Sequence, residues 1–271
     1  MKWSRRLQTI AEEVACGATM ADIGTDHAYL PIRLKQEGRC PHVILCDVSP
    51  GSLKKAGEDW DAALPGEPAD LRLGDGLQVL RAGEAETVVM AGIGGILIAE
   101  ILEHDPVKSS SFPRYVLQPR SHAGYLRWRL KLLGFSIIRE RIAPEGSRMC
   151  EILTVSSAED GNAANAATGF SGKHPGETAE DLQMSAGLAA FRALDPAVQA
   201  AFAYPDSLDP AEPYVRDYLN RQMEKQQKIF TRQKQGAAAD SDEMNRTRAL
   251  VSRLQELSEG LEAERSGGEN R

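Results

Sequence analysis

The sequence holds no apolar run near the roughly 18 residues that a membrane-spanning helix needs, so no membrane partner is expected. Its start, MKWSRRLQTIAEEV, has basic residues without the apolar stretch of a secretory signal behind them, and a cytoplasmic location is the expectation. Cysteine is scarce. Cys16, Cys40, Cys46 and Cys150 form no CxxC pair, and the five histidines show no ligand spacing beside them, a pattern that points away from a disulfide framework and from a bound metal. Nor is there an excess of positive charge. The formal net charge of −7 argues weakly against a chain that coats nucleic acid, but the window 112–148 carries eight Lys or Arg against two Glu and leaves room for a local basic surface.

What is present is a regular alternation. At roughly 100 to 200 residues per domain, the chain has length for one full domain and a smaller one. Leu7, Ile10, Ala11 and Val14 follow the spacing of an amphipathic helix that ends near Gly17. Short apolar runs then alternate with helical patterns: MADI, HVILC, DLRL, TVVMA, YVLQ, FSIIRERI and EILTV. This predicts an α/β fold, a seven-stranded mostly parallel sheet with helices on both faces, over residues 1–155. The last two runs are separated only by a loop, APEGSRMC, and read as an antiparallel hairpin at one edge. Residues 156–210, rich in Ala, Gly and Pro, read as a linker whose second half, DLQMSAGLAAFRAL, is a short helix. From 211 to 265 the pattern is helical again. Leu250, Leu254, Leu257 and Leu261 form a heptad seam, GAAADSD makes a turn, and a two-helix coiled-coil hairpin with a short tail over 266–271 is expected.

Two glycine turns follow strands, DIGTDHA and MAGIGGIL, and either offers the close backbone approach and free helix N–H groups of a nucleotide-type loop. The following strand discriminates between them. A ribose-binding loop wants an acidic residue at the end of the next strand, about 20 residues on. After the first loop that strand ends in Asp47; after the second it ends in Pro119 and Arg120. The cofactor loop is therefore the first, with Asp22, Gly24 and Thr25, then Asp47 and Val48. It lacks the GxGxxG of a dinucleotide site, because Asp26 and His27 follow Gly24 and Thr25. An acid at the end of the first strand suits a ligand with an amino-acid end, whose ammonium needs a counter-charge. S-adenosylmethionine has that end and a ribose. Gly74, Asp75 and Gly76 after the third strand supply an acceptor for its adenine amino group, and Ala91 and Gly92 close the set. Against this stands the plain reading that these glycines only make turns.

DIGTDHAYLPI, followed by GDGL, MAGIGG, LQPRSHAGYLRWRL and a helical C-terminal hairpin, resembles the bacterial tRNA adenine-N1 methyltransferases that act on position 22 of tRNA. The resemblance covers about residues 3–155 and, more loosely, the hairpin. It implies a Rossmann-like class I methyltransferase fold, S-adenosylmethionine as methyl donor and tRNA as partner. The chain departs from the family at Arg120, where Asn is usual, and in the segment after Ser156. For chemistry, adenine N1 has an in-plane lone pair and attacks a sulfonium methyl without prior deprotonation. Methylation of an exocyclic amine is typically served by an NPPY-type motif after the fourth strand, where this chain reads MAGIGG. Asp26 and His27 are expected to face the methyl group as catalytic candidates, Asp26 on the methionine ammonium or the base edge, His27 on the base or the product's proton. A helix cap and a neighbouring carbonyl are their structural alternatives. Tyr29, Gly94 and Gly95 are candidates for the flipped base, and Arg120, Arg127 and Lys131 for RNA, the last two as an i, i+4 pair on a solvated face of the helix after Ala123. Methylation of another RNA or a small molecule, and a non-catalytic RNA-binding protein, remain alternatives; monomer or homodimer is open.

Overall fold

The computed structural model describes residues 3–157, 179–206, 208–235 and 241–268. Ser4 opens α1 (Arg5–Glu13), its side chain accepting from the Leu7 N–H. Then come β1 (Met20–Ile23), α2 (Tyr29–Gln36), β2 (Val43–Asp47), α3 (Pro50–Ala63) and β3 (Asp70–Leu73). A single 3-10 turn over Gly76–Val79 leads to β4 (Thr87–Ile93), α4 (Gly95–His104), α5 (Pro106–Ser110), β5 (Arg114–Pro119) and α6 (Ala123–Leu132). The sheet closes with β6 (Ser136–Glu145) and β7 (Arg148–Ser156).

The seven strands lie in the order β3-β2-β1-β4-β5-β7-β6, parallel except for β7, which runs antiparallel to β5 and β6. From β1 the chain builds outward to β3 and then crosses back to β4 on the other side. That reversal puts a crevice at the carboxyl ends of β1 and β4, the place where open α/β sheets bind ligands. The buried strands read as continuous apolar runs because both faces are covered. On one face Ala21, Ile44, Val88 and Leu117 pack with Ile98, Leu102, Leu126 and Leu130 of α4 and α6. On the other, Met20, Val43, Val89 and Val116 pack with Ile10, Ala11 and Val14 of α1, Leu30 and Leu34 of α2 and Trp60 of α3.

Two expectations need correction. The loop between the last strands is only Gly146 and Ser147, because a glycine at φ 59 lets β6 and β7 pair out to Glu145 and Arg148. Within the expected linker, the helix expected over DLQMSAGLAAFRAL is present as α7 (Ala179–Arg192), but a second helix, α8 (Pro196–Ala203), capped by Asp195 and started by Pro196, was not expected. The linker's first half, 158–178, lies outside the described residues, as do residues 236–240 of the expected GAAADSD turn, whose last two residues, Ser241 and Asp242, already begin the final helix. Beyond the linker α9 (Val215–Gln235) and α10 (Ser241–Gly268) pack on each other, and α10 also on α8. α10 thereby runs three residues into the expected tail. Leu254 of the leucine seam is fully buried among Tyr204, Val215, Tyr218 and Leu219, with Ile142 of β6 in the same cluster. Among the described residues no helix is long and apolar enough to cross a membrane.

Candidate active site

The turn after β1 answers how a cofactor loop does without its later glycines. Gly24, Asp26 and Ala28 all have positive φ, at 80, 41 and 51°. The left-handed geometry is thus kept, with Asp26 and Ala28 standing where glycine would be unstrained; Asp tolerates this region better than most residues. The Gly24 and Thr25 N–H groups both donate to the Cys46 carbonyl (2.8 and 3.1 Å), pinning the turn to the end of β2.

At the end of β1, Asp22 is buried. Burial pushes its carboxyl up to about 6, helped by the charge of Asp47 and opposed by the Thr25 hydroxyl and the Arg6 guanidinium. Thr25 Oγ1 is buried beside that carboxyl, with no other hydrogen-bond partner among the described residues. A buried carboxyl held above its ordinary pKa, with a buried hydroxyl beside it, is what a ligand ammonium would satisfy. Asp47 is nearly as buried, its Oδ1 accepting from Ser49 N–H (2.8 Å) and its Oδ2 from Asp26 N–H (3.4 Å). Beside it two large apolar side chains stand exposed, Val48 at 67 % and Leu73 at 56 %, Leu73 being Asp47's register partner on β3. An acid flanked by exposed apolar side chains fits a ribose joined to a flat heterocycle. Leu73 was not singled out from the sequence, where it is one more apolar residue of a strand. These groups fit S-adenosylmethionine.

Gly74 N–H donates to the Asp47 carbonyl (3.0 Å), and a Cβ there would meet Val79 Cγ1 at 2.3 Å. At Gly76 a Cβ would meet Ile101 Cγ2 at 2.8 Å. Both glycines therefore serve packing as well as the turn, while Asp75 between them is exposed. A cleft of about 460 Å³ touches the expected cofactor set only at Asp75 and Gly76 and runs off between the 3-10 turn, α4 and α5.

Asp26 and His27 are both engaged by neighbouring side chains. His27 Nδ1 lies 2.8 Å from Asp59 Oδ2 on α3, and its ring stacks on Tyr29 (centroids 5.1 Å apart, 11° between planes). The Asp26 carboxylate is 3.9 Å from His27 Nε2 and 3.8 Å from Lys55 Nζ. These contacts put Asp26, His27 and Tyr29 on the β2 side of β1, against α3, whereas Gly92, Gly94 and Arg120 lie on the β4–β5 side. Tyr29 is a stacking partner of the histidine. Asp59 was missed because nothing local links residues 27 and 59; only the packing of α2 beside α3 does.

On the β4 side, Ala91 and Gly92 sit at a register shift against β5, Gly92 at φ 81 with open space around its α-carbon. A Cβ at Gly94 would make only ordinary contact, 3.5 Å from Ser121 Oγ. Gly95 is different. Its N–H donates to the Ser121 carbonyl (2.9 Å), and a Cβ would fall 2.7 Å from that oxygen and 2.8 Å from the His122 carbonyl. Close packing of α4 on the β5–α6 loop is thus its role, not room for a base. Arg120 is exposed at the end of β5, its N–H held by the Ile93 carbonyl (2.8 Å). A second cleft, about 300 Å³, opens beside it between the β5–α6 loop and the hairpin, lined by Arg120, His122, Tyr204, Gln222 and Lys225.

Arg127 is not on a solvated face. It is 4 % exposed, with Nε on Glu140 (2.8 Å), Nη2 on Glu151 (2.7 Å) and Nη1 on the Phe202 carbonyl (3.4 Å), and the Tyr218 hydroxyl donates to the other oxygen of Glu151 (2.7 Å). The reason is that α6 lies between the sheet and the helices that follow, so the side opposite its leucines is covered as well. Lys131 does remain exposed, with Nζ 5.8 Å from the Phe202 ring centroid. The buried cysteines are not poised as nucleophiles: burial pushes the Cys46 thiol up to about 12 and the Cys40 thiol to about 11, and raises Cys150 as well.

A family model described as a methyltransferase domain matches residues 3–153. The tRNA (adenine(22)-N(1))-methyltransferase of Bacillus subtilis (strain 168) is 38 % identical over 164 residues, 60 % of this chain and 68 % of that protein. The crystal structure of the B. subtilis M1A22 tRNA methyltransferase TrmK superposes with a TM-score of 0.65 at 26 % identity, covering 94 % of this chain and 98 % of that one. Streptococcus pneumoniae Sp1610 in complex with S-adenosyl-L-methionine does so with a TM-score of 0.62 at 25 % identity, over 94 % and 99 %. With its buried acid pair toward the carboxyl ends of β1 and β2, beside the topological switch point, and with these relatives, the chain belongs to the methyltransferase-domain family and, within it, to the family of the tRNA (adenine(22)-N(1))-methyltransferases.

Proposed function

We propose that this chain transfers the methyl group of S-adenosylmethionine to N1 of the adenine at position 22 of tRNA. The observation that carries the reading is the pair Asp22 and Asp47 at the ends of adjacent strands, one set for an ammonium and the other for a ribose, in a chain 38 % identical to an enzyme named for this reaction. When bound, S-adenosylmethionine supplies an electrophilic methyl on a sulfonium. Asp22 holds the ammonium, with Thr25 Oγ1 beside it. Asp47 has its plane fixed by the Ser49 and Asp26 N–H groups and keeps lone pairs for the ribose hydroxyls. Val48 and Leu73 flank the adenine, and Asp75 accepts from its amino group. Gly24 lets the backbone come close.

Because the N1 lone pair needs no base to free it, the residues around the acceptor serve alignment, with reacting atoms held about 3 to 3.5 Å apart. The target adenine leaves its stack and enters beside Gly92 and Gly94, at the mouth of the cleft that Arg120 and Lys225 line. Arg120, Lys131 and Lys225 take phosphates. Asp26 acts from the wall formed with α3 as an acceptor toward cofactor or base. Asp59 orients His27 there, its 2.8 Å contact to Nδ1 fixing the ring against α3. Saturating S-adenosylmethionine should raise the melting temperature of the purified chain. No shift at saturation would remove the cofactor and the reaction with it.

A further inference from the structure

The sheet places one more charged residue at the cofactor's amino-acid end. Alternation along β1, β4 and β5 turns Asp22, Ala91 and Gln118 to the same face, since Met20, Val89 and Val116, two residues earlier in each strand, share one cluster with Ile10, Ala11 and Val14 of α1. From the first turn of α1, Arg6 reaches this face. Its Nε donates to the exposed Glu145 carboxylate (2.6 Å) and its Nη1 to Gln118 Oε1 (3.1 Å). Nη2 makes no hydrogen bond among the described residues, and the side chain is 18 % exposed. The positive charge of Arg6 also acts on Asp22, opposing the burial that raises its pKa.

An α-amino acid is a zwitterion whose two charged groups are bonded to the same carbon. A site built of Asp22 and Asp47 alone attracts the ammonium but repels the carboxylate next to it. A guanidinium at the same face removes that conflict, and its planar fork matches a carboxylate. We infer that Arg6 binds the α-carboxylate of S-adenosylmethionine through its free Nη2 edge, opposite the Asp22 that takes the ammonium. The inference rests on the cofactor reading above. Its competitor is a purely structural clasp, Arg6 tying α1 to β5 and β6 through Gln118 and Glu145.

The two are separated by a ligand that lacks the carboxylate. Binding of S-adenosylmethionine and of decarboxylated S-adenosylmethionine is measured by calorimetry on the unaltered chain, on Arg6→Gln and on Arg6→Lys, with thermal melts alongside. A hydrogen-bonded charge pair of this kind predicts a preference of about tenfold or more for the carboxylated ligand in the unaltered chain. Arg6→Gln should lose most of that preference by weakening the carboxylated ligand alone, and Arg6→Lys should keep part of it. Equal weakening of both ligands by Arg6→Gln, or no preference in the unaltered chain, overturns the assignment while leaving the cofactor in place. If Arg6→Gln fails to fold, the unaltered chain and Arg6→Lys still decide it. Failure of the unaltered chain to bind either ligand overturns the cofactor reading itself, and this assignment with it.

Discussion

Asp22 ties the site to pH. Its carboxyl stands at about 6 in the folded chain against 3.8 for a free Asp side chain, so between those values the folded chain holds a proton that the unfolded chain has lost. The contribution of this group to stability is therefore greatest below about 4 and is lost as pH rises through about 6, where a buried carboxylate must carry charge. Cofactor binding runs the other way. An ammonium needs the charged form, so affinity for S-adenosylmethionine should fall as pH drops below about 6, with proton release on binding visible as a dependence of calorimetric heat on buffer. Asp22→Asn should abolish that release, weaken the cofactor by about 1.5–3 kcal/mol and stabilise the free chain at neutral pH. A variant that binds as before would remove Asp22 from the ammonium site. Asp26 offers a second test, because its φ of 41° suits glycine and strains alanine. Asp26→Gly should melt no lower than the unaltered chain, Asp26→Ala should lose about 1 kcal/mol, and both should lose methyl transfer. Normal turnover by the glycine variant would mean that the carboxylate has no part in the reaction.

At the scale of elements, the strands were the legible part. β1, β2, β4 and β5 are covered on both faces and so read as apolar runs, and the DIGTDHA turn between β1 and α2 carries its own signature. Arg127 was not legible. The 126, 130, 133 spacing of α6 shows which side meets the sheet, but the groups that claim Arg127 lie on β6, β7, the end of α8 and, through Tyr218, α9. Arg6 escaped notice for the same reason, its partners being 112 and 139 residues away. Helix α7 coincides with the helix expected over DLQMSAGLAAFRAL, but α8 hid in an Ala, Gly and Pro-rich composition, although its Asp195–Pro196 start is a capping signal that was there to be read. Arg127→Met should cost about 3–5 kcal/mol, since it strands the buried Glu140 and the half-buried Glu151 without their cation. It should not change the salt dependence of tRNA binding, whereas charge reversal at Lys131 should flatten that dependence. A flattened slope in Arg127→Met at a temperature where it is folded would contradict the burial argument. Gly95→Ala forces α4 off the Ser121 and His122 carbonyls and should destabilise by about 1–3 kcal/mol.

For the molecule as a whole, a net charge of −7 and an RNA substrate are reconciled by distribution. Acidic groups gather at the cofactor ends of β1, β2 and β3, while Arg120 and Lys225 line the cleft that opens between β5 and the hairpin. The hairpin is seated there by the Arg127–Glu151–Tyr218 chain and the apolar cluster around Leu254, so the cleft's two walls are held together by buried contacts. That arrangement, a crevice on one side of β4 and a cleft carrying Arg120 and Lys225 on the other, is the one the proposed reaction on tRNA would use. The most direct test is transfer of labelled methyl from S-adenosylmethionine to unmodified tRNA transcripts, followed by nucleoside mass spectrometry and mapping of the modified position. N1-methyladenosine at position 22 is the predicted result; methyl on another atom or position, or none on any tRNA despite cofactor binding, would contradict the account.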